Sequence, residues 1–103
     1  KKVVIALDNE FDLDQEGDLL EFCENADLLI WDGMYTNEEI TNKKGWGHST
    51  IEQAIYFMKK SNVKKTVICH HSPTRSDDEI DTIRANLPGK AIEFGLEGKK
   101  FRL

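Results

Sequence analysis

Lys2 to Leu7 (KVVIAL) is an unbroken apolar run containing β-branched residues. That pattern predicts a strand buried on both faces, as in the centre of a parallel sheet. Asp8 closes it, and an acidic polar loop follows from Asp12 to Gly17. Leu19, Leu20, Phe22, Cys23 and Ala26 then recur at helical spacing, predicting a short amphipathic helix over Asp18 to Asn25. Asp27 to Trp31 (DLLIW) is the second predicted strand, ending at Asp32-Gly33. Ile51, Ala54, Ile55 and Met58 form one stripe of a helix that stops near Ser61-Asn62. Lys59, Lys60 and Lys64 gather near its C-terminus, where the helix dipole favours cations. Lys65 to His70 (KTVICH) is the third predicted strand, again apolar on both faces. A further helix carries Ile80, Ile83 and Leu87 on one face and ends at Pro88-Gly89. Ala91 to Phe94 and Lys100 to Leu103 read as two short strands joined around Gly95 to Gly98.

Three capping boxes mark helix starts, each a Ser or Thr followed three residues later by Glu: Thr36 to Glu39, Ser49 to Glu52 and Ser76 to Glu79. The predicted order is therefore β-α-β-α-α-β-α-β-β. Strands alternating with helices argue for an α/β sheet with right-handed crossovers. The chemistry of such sheets collects at the carboxyl ends of the strands, which here are Asp8, Asp32 and His70.

A length of 103 residues suits one small domain, and 32% charged with 39% hydrophobic residues suits a globular one. The longest apolar run, Val3 to Leu7, is far too short to span a bilayer. No targeting segment is visible, so a cytoplasmic location without membrane partners is expected. The net charge of −5 gives no general footprint for nucleic acid, although a local basic patch remains compatible with it. Cys23 and Cys69 lie far apart and read as two buried thiols in a reducing compartment. The chain opens on Lys-Lys and a strand with no initiating Met, so a piece of something larger is expected.

Asp8 and Asp32 are each compatible with ordinary turn chemistry, in Asp-Asn and Asp-Gly pairs. His70 and His71 are adjacent at a strand end before Ser72-Pro73. They are either a solvent-exposed loop pair or a source of metal ligands. Strand alternation would point the two rings to opposite sides, so at most one faces a given site. The third histidine lies in Gly45-Trp46-Gly47-His48-Ser49-Thr50. There two glycines permit unusual backbone angles and Trp46 is placed to wall off solvent. His48 precedes the expected Ser49 cap; it is either a functional ring beside a helix N-terminus or a ring packed on Trp46. Two Asp and two His segments at one sheet edge suggest a metal or acid–base site.

The segment from Ala26 to Asp78 resembles the C-terminal half of metallo-β-lactamase-fold hydrolases, closest to their phosphodiesterase and RNase Z-like branch. The blocks carrying the resemblance are Ala26 to Asp32, Tyr35-Thr36 with Glu38-Glu39, and Gly45 to Thr50 with Ala54. Val67 to Pro73 and Arg75-Ser76-Asp77 complete the series. Val4 to Glu10 looks like the strand ending in the family's metal-bridging Asp. The resemblance implies half of an αββα sandwich spanning residues 1–103, with the N-terminal half absent.

It further implies that Asp8 bridges two metal ions, usually zinc, sometimes manganese or iron. His70 would be the last ligand, or His71 if the register is off by one. His48 would stabilise the scissile phosphate or protonate the leaving group, and Asp32 would orient His48. Where RNase Z-like members have a His-Glu-Ala-Thr block, this chain has Trp31-Asp32-Gly33-Met34. That difference points away from an RNase Z and toward a different phosphodiesterase or another hydrolase of the fold. The family's His-x-His-x-Asp-His motif is absent; none of the three histidines has that spacing. Asp8 and His70 alone cannot close a two-metal site. The missing ligands are thus expected from an N-terminal half, in cis or as a second chain. An isolated half would be inactive and prone to self-association. The competing readings are a non-catalytic sensor or partner-binding module of the same fold, and acyl or thioester hydrolysis.

Overall fold

The computed structural model describes residues 1–12, 14 and 16–103. Within them the elements are β1 (Val3–Ala6), α1 (Glu16–Cys23), β2 (Leu28–Asp32), α2 (Ile51–Lys60), β3 (Thr66–Cys69), α3 (Asp77–Ala85) and β4 (Ile92–Phe94). The molecule is a small α/β domain. Its four strands form one parallel sheet in the order β1-β2-β3-β4. The predicted Asp12–Gly17 loop falls partly on residues 13 and 15, outside the described residues, and α1 begins at Glu16 rather than Asp18.

Because the chain always steps to the next strand in the same direction, right-handed crossovers place every helix on one side of the sheet. The core has this one-sided character. Val4, Ala6, Leu29, Trp31, Ile68, Ile92 and Phe94 alternate onto one face. They pack there against Cys23 and Ala26, against Ile51, Ala54 and Phe57 of α2, and against Ile80, Ile83 and Leu87. Phe57 and Trp31 stack at the centre, ring centroids 4.8 Å apart.

Among the described residues no helix packs against the opposite face. This corrects the prediction that β1 is buried on both faces. It is an edge strand, with Val4 and Ala6 inside but Val3 and Ile5 47% and 64% exposed and Leu7 also exposed. A purely apolar run cannot report which of its faces finds a cover.

Three further expectations are corrected. Lys100–Leu103 forms no strand. Lys99 instead pairs with Glu93 through its side chain at 2.5 Å, and residues 100–103 lie beside Lys1, Asp27, Lys64 and Lys65 at the opening ends of the strands. Thr36 and Glu39 do bond reciprocally, at 3.4 and 3.3 Å, but start only a 3-10 turn over Glu39–Asn42. No residue of that turn is buried, so nothing drives its extension. The cap of α2 is Thr50, boxed with Gln53, rather than Ser49 with Glu52. Ser49 is fully buried and donates to the Asn9 carbonyl, while Glu52 accepts from the Asn37 amide at 2.9 Å. The Ser76–Glu79 box forms as expected. Both cysteines are free, Cys23 buried and Cys69 half-buried. Among the described residues no helix is long and apolar enough to cross a membrane.

Candidate metal centre

The carboxyl ends of β1, β2 and β3 lie side by side, so the residues following them converge. Asp8 stands just past β1, Asp32 is the last residue of β2, and His70 follows β3 directly. Asp8 and His70 both adopt the left-handed region, at φ 47° and 61°. Non-glycine residues seldom adopt it, although Asp and His do so more readily than most. Each reversal ends its strand and turns the side chain out of the alternation of the preceding residues.

His48 arrives from the loop before α2, and that loop is stapled to the extension of β2. Tyr35 N donates to the Ser49 carbonyl at 3.2 Å, and Ile51 N to the Tyr35 carbonyl at 2.9 Å. The buried Trp31 Nε1 donates to the Thr50 carbonyl at 3.0 Å. A backbone segment fixed by three bonds holds His48 against the strand ends.

The four side chains form one cluster. One donor atom from each of Asp8, Asp32, His48 and His70 lies within 4.8 Å of the others. His48 Nδ1 is 2.8 Å from Asp32 Oδ2 and 3.8 Å from Asp8 Oδ1. His70 Nδ1 is 3.5 Å from both Asp8 Oδ1 and Asp32 Oδ2. The two rings meet edge to face, centroids 5.0 Å apart, with Tyr35 6.0 Å from His48 on another side. Asp32 is wholly buried, and its other oxygen accepts the Met34 amide at 3.0 Å. The Asp8 side chain is 77% exposed.

His71 does not join the cluster. Its ring packs edge-on against Phe94 at 4.3 Å, and its Nδ1 lies 3.1 Å from Arg75 Nη1. Burial pushes its pKa down, and the Arg75 and Arg84 charges add to this. The adjacent pair thus divides into a ring at the site and a packed ring. Trp46 is 59% exposed, with Lys43 Nζ 4.0 Å from its ring centroid. His48 meets Tyr35 and His70 rather than Trp46.

Arg75 was legible only as part of a block. Its side chain, 2% exposed, donates to the carbonyls of Gly33 (3.2 Å) and Met34 (3.0 Å) and to Glu39 Oε2 (2.9 Å). It ties the segment after Asp32 to the segment after His70. No local pattern signals that role, because apart from His71 its side-chain partners lie 36 to 42 residues away.

Two carboxylates and two imidazoles make a nitrogen and oxygen donor set that suits zinc, manganese or iron. The cluster offers enough donors for one ion. The shortest contact within it joins His48 to Asp32, while Asp8 and His70 approach each other at 3.5 Å.

Comparison with known proteins corrects the expectation, drawn from Trp31-Asp32-Gly33-Met34, of a phosphodiesterase outside the RNase Z branch. A ribonuclease Z of Pyrococcus horikoshii is 38% identical over 75 residues, covering 73% of this chain and 24% of the relative. Ribonucleases Z of Agathobacter rectalis (35% identity, 64% of this chain, 23% of the relative) and Brevibacillus brevis (29%, 74% and 24%) also match. No family model and no solved structure matches. The chain belongs to the ribonuclease Z branch of the metallo-β-lactamase-fold proteins. It spans about a quarter of the length of the curated relatives it matches.

Proposed function

We propose that residues 1–103 are a C-terminal portion of a binuclear metal-dependent phosphodiester hydrolase, with RNA as the substrate class. The supporting observation is the four-residue cluster with donor atoms within 4.8 Å, at the strand ends of a chain similar to ribonucleases Z. Asp8 would bridge two metal ions, most suitably zinc with manganese or iron as alternatives, and His70 would complete the ligand set. The bound ions would supply an activated water and neutralise phosphate charge. Asp32, accepting from His48 Nδ1, fixes the tautomer that leaves Nε2 free toward the substrate. With both ring nitrogens protonated, His48 would donate the Nε2 proton to the departing oxygen and be left as the neutral Nδ1–H ring on Asp32.

The other ligands are assigned to an N-terminal half, in cis or as a second chain, whose sheet would cover the exposed Val3, Ile5 and Leu7. Sheets pack face to face through such apolar rows. A lone half would self-associate through them. A cytoplasmic setting is part of the same reading.

The test is metal analysis and hydrolysis of bis(p-nitrophenyl) phosphate by the full-length protein, purified without chelator. Bound metal, activity removed by EDTA and restored by Zn²⁺ or Mn²⁺, and loss of metal in His70→Ala are expected. Metal-free, inactive protein would overturn the assignment in favour of a non-catalytic module. Activity confined to thioesters would overturn the substrate class.

A further inference from the structure

Resting on the phosphodiesterase reading, we propose that Trp46 is a stacking platform for a nucleobase of the substrate, beside the scissile phosphodiester. Trp46 stands two residues from His48, so the chain separates their Cα atoms by at most about 7 Å. The protein has two tryptophans, and they are opposites. Trp31 is fully buried in the core, whereas Trp46 is 59% exposed and lies outside the core cluster. An exposed indole gives up the burial for which so large a ring is normally retained.

The backbone that carries this ring is nevertheless held at several points. Gly45 and Gly47 flank it at φ 84° and 85°, a conformation that disfavours a side chain, and a Cβ at either would meet nothing within 4 Å. Gly45 N donates to Glu10 Oε1 at 2.6 Å, and Trp46 N to the Lys43 carbonyl at 3.2 Å. The loop is thus anchored on one side to the chain just after Asp8 and on the other to its own start. Lys43 Nζ sits 4.0 Å from the ring centroid, and Lys44 is next in sequence. An exposed aromatic face with adjacent cations is the combination that binds single-stranded nucleic acid, by stacking the base and attracting the phosphate. It also supplies a local basic feature that the net charge of −5 conceals.

Two measurements on the full-length protein test this. The first is tryptophan fluorescence titrated with adenosine 5′-monophosphate and with ribose 5-phosphate, in the wild type and in Trp46→Phe. Quenching by the nucleotide alone, absent from Trp46→Phe, is expected. The second compares hydrolysis of thymidine 5′-p-nitrophenyl phosphate and methyl p-nitrophenyl phosphate. Trp46→Ala should raise KM for the nucleoside ester about tenfold and leave the methyl ester unchanged, with Trp46→Phe intermediate. Equal losses on both esters would overturn the proposal, making Trp46 a prop for the His48 loop. So would the absence of any nucleotide-dependent quenching. Nucleotide quenching in a protein that hydrolyses neither ester would uphold the platform and refute the phosphodiesterase reading.

Discussion

His48 Nδ1 lies 2.8 Å from Oδ2 of Asp32, a carboxylate with no exposed surface. A buried carboxylate so placed controls which ring nitrogen carries the proton and holds the ring's orientation. Asp32→Asn should therefore lower kcat about 10–100-fold. His48→Ala should lower it about 10²–10⁴-fold, with bound metal retained. Steady-state kinetics beside metal analysis separates this pair from His70, whose loss should empty the site.

Asp8 has φ 47° and a largely exposed side chain, so its conformation is not dictated by packing. Glycine adopts that backbone freely, whereas alanine does not. Asp8→Gly should be about 1 kcal/mol more stable than Asp8→Ala, while both lose metal. Urea unfolding of the two variants checks the difference.

Arg75 is a buried cation held by two carbonyls and by the half-exposed Glu39. Arg75→Met leaves those acceptors unpaired and should destabilise by about 3 kcal/mol. Arg75→Lys should recover only part of this, since an ammonium cannot reproduce the planar fork. Glu39→Gln removes only the exposed end of the pair and should stay within about 1 kcal/mol. Denaturant midpoints at constant m-value report all three.

A Cβ on Gly33 would collide with Ile68 Cγ2 and press on the Cys69 carbonyl at 3.3 Å. Gly33→Ala should cost about 1–3 kcal/mol and reduce activity, because Gly33 follows Asp32. Combining it with Ile68→Ala removes the colliding methyl, so the double variant should be less destabilised than the sum of the single changes. Strict additivity in thermal unfolding would count against the collision.

Asp27 fastens the starts of three strands, accepting from Lys2 N and from Lys64 Nζ, both at 2.7 Å. The Lys64 ammonium first, then the Lys2 amide, hold its pKa down to about 2 from 3.8. The unfolded chain therefore binds a proton before the folded one does. The contribution is complete above about pH 3.8, falls as the pH drops toward 2, and is gone below that. Asp27→Asn should flatten the dependence of stability on pH across that window, measured by urea unfolding at stepped pH.

Much of this was legible in the chain itself. The apolar runs around Val4, Leu29 and Val67 and the stripe Ile51–Ala54–Ile55–Met58 mark the strands and the main helix, because burial periodicity is a local property. Asp8, Asp32 and His70 were visible as polar residues ending strands, and His48 as a ring in a glycine-rich loop. Tertiary structure decided what depends on distant partners. Helices on one side alone leave Val3 and Ile5 open while Val4 and Ala6 are covered. Phe94 claims His71, and the positive φ of His70 turns that ring toward Asp8 and Asp32. Tyr35 and Trp31 fix the loop so that Thr50, rather than Ser49, caps α2. Arg75 acquires its Gly33, Met34 and Glu39 partners only when segments 36 to 42 residues apart are brought together. Local pattern records which residues seek burial or a turn, whereas the pairing of particular polar atoms is set by a three-dimensional arrangement that no short window of sequence contains.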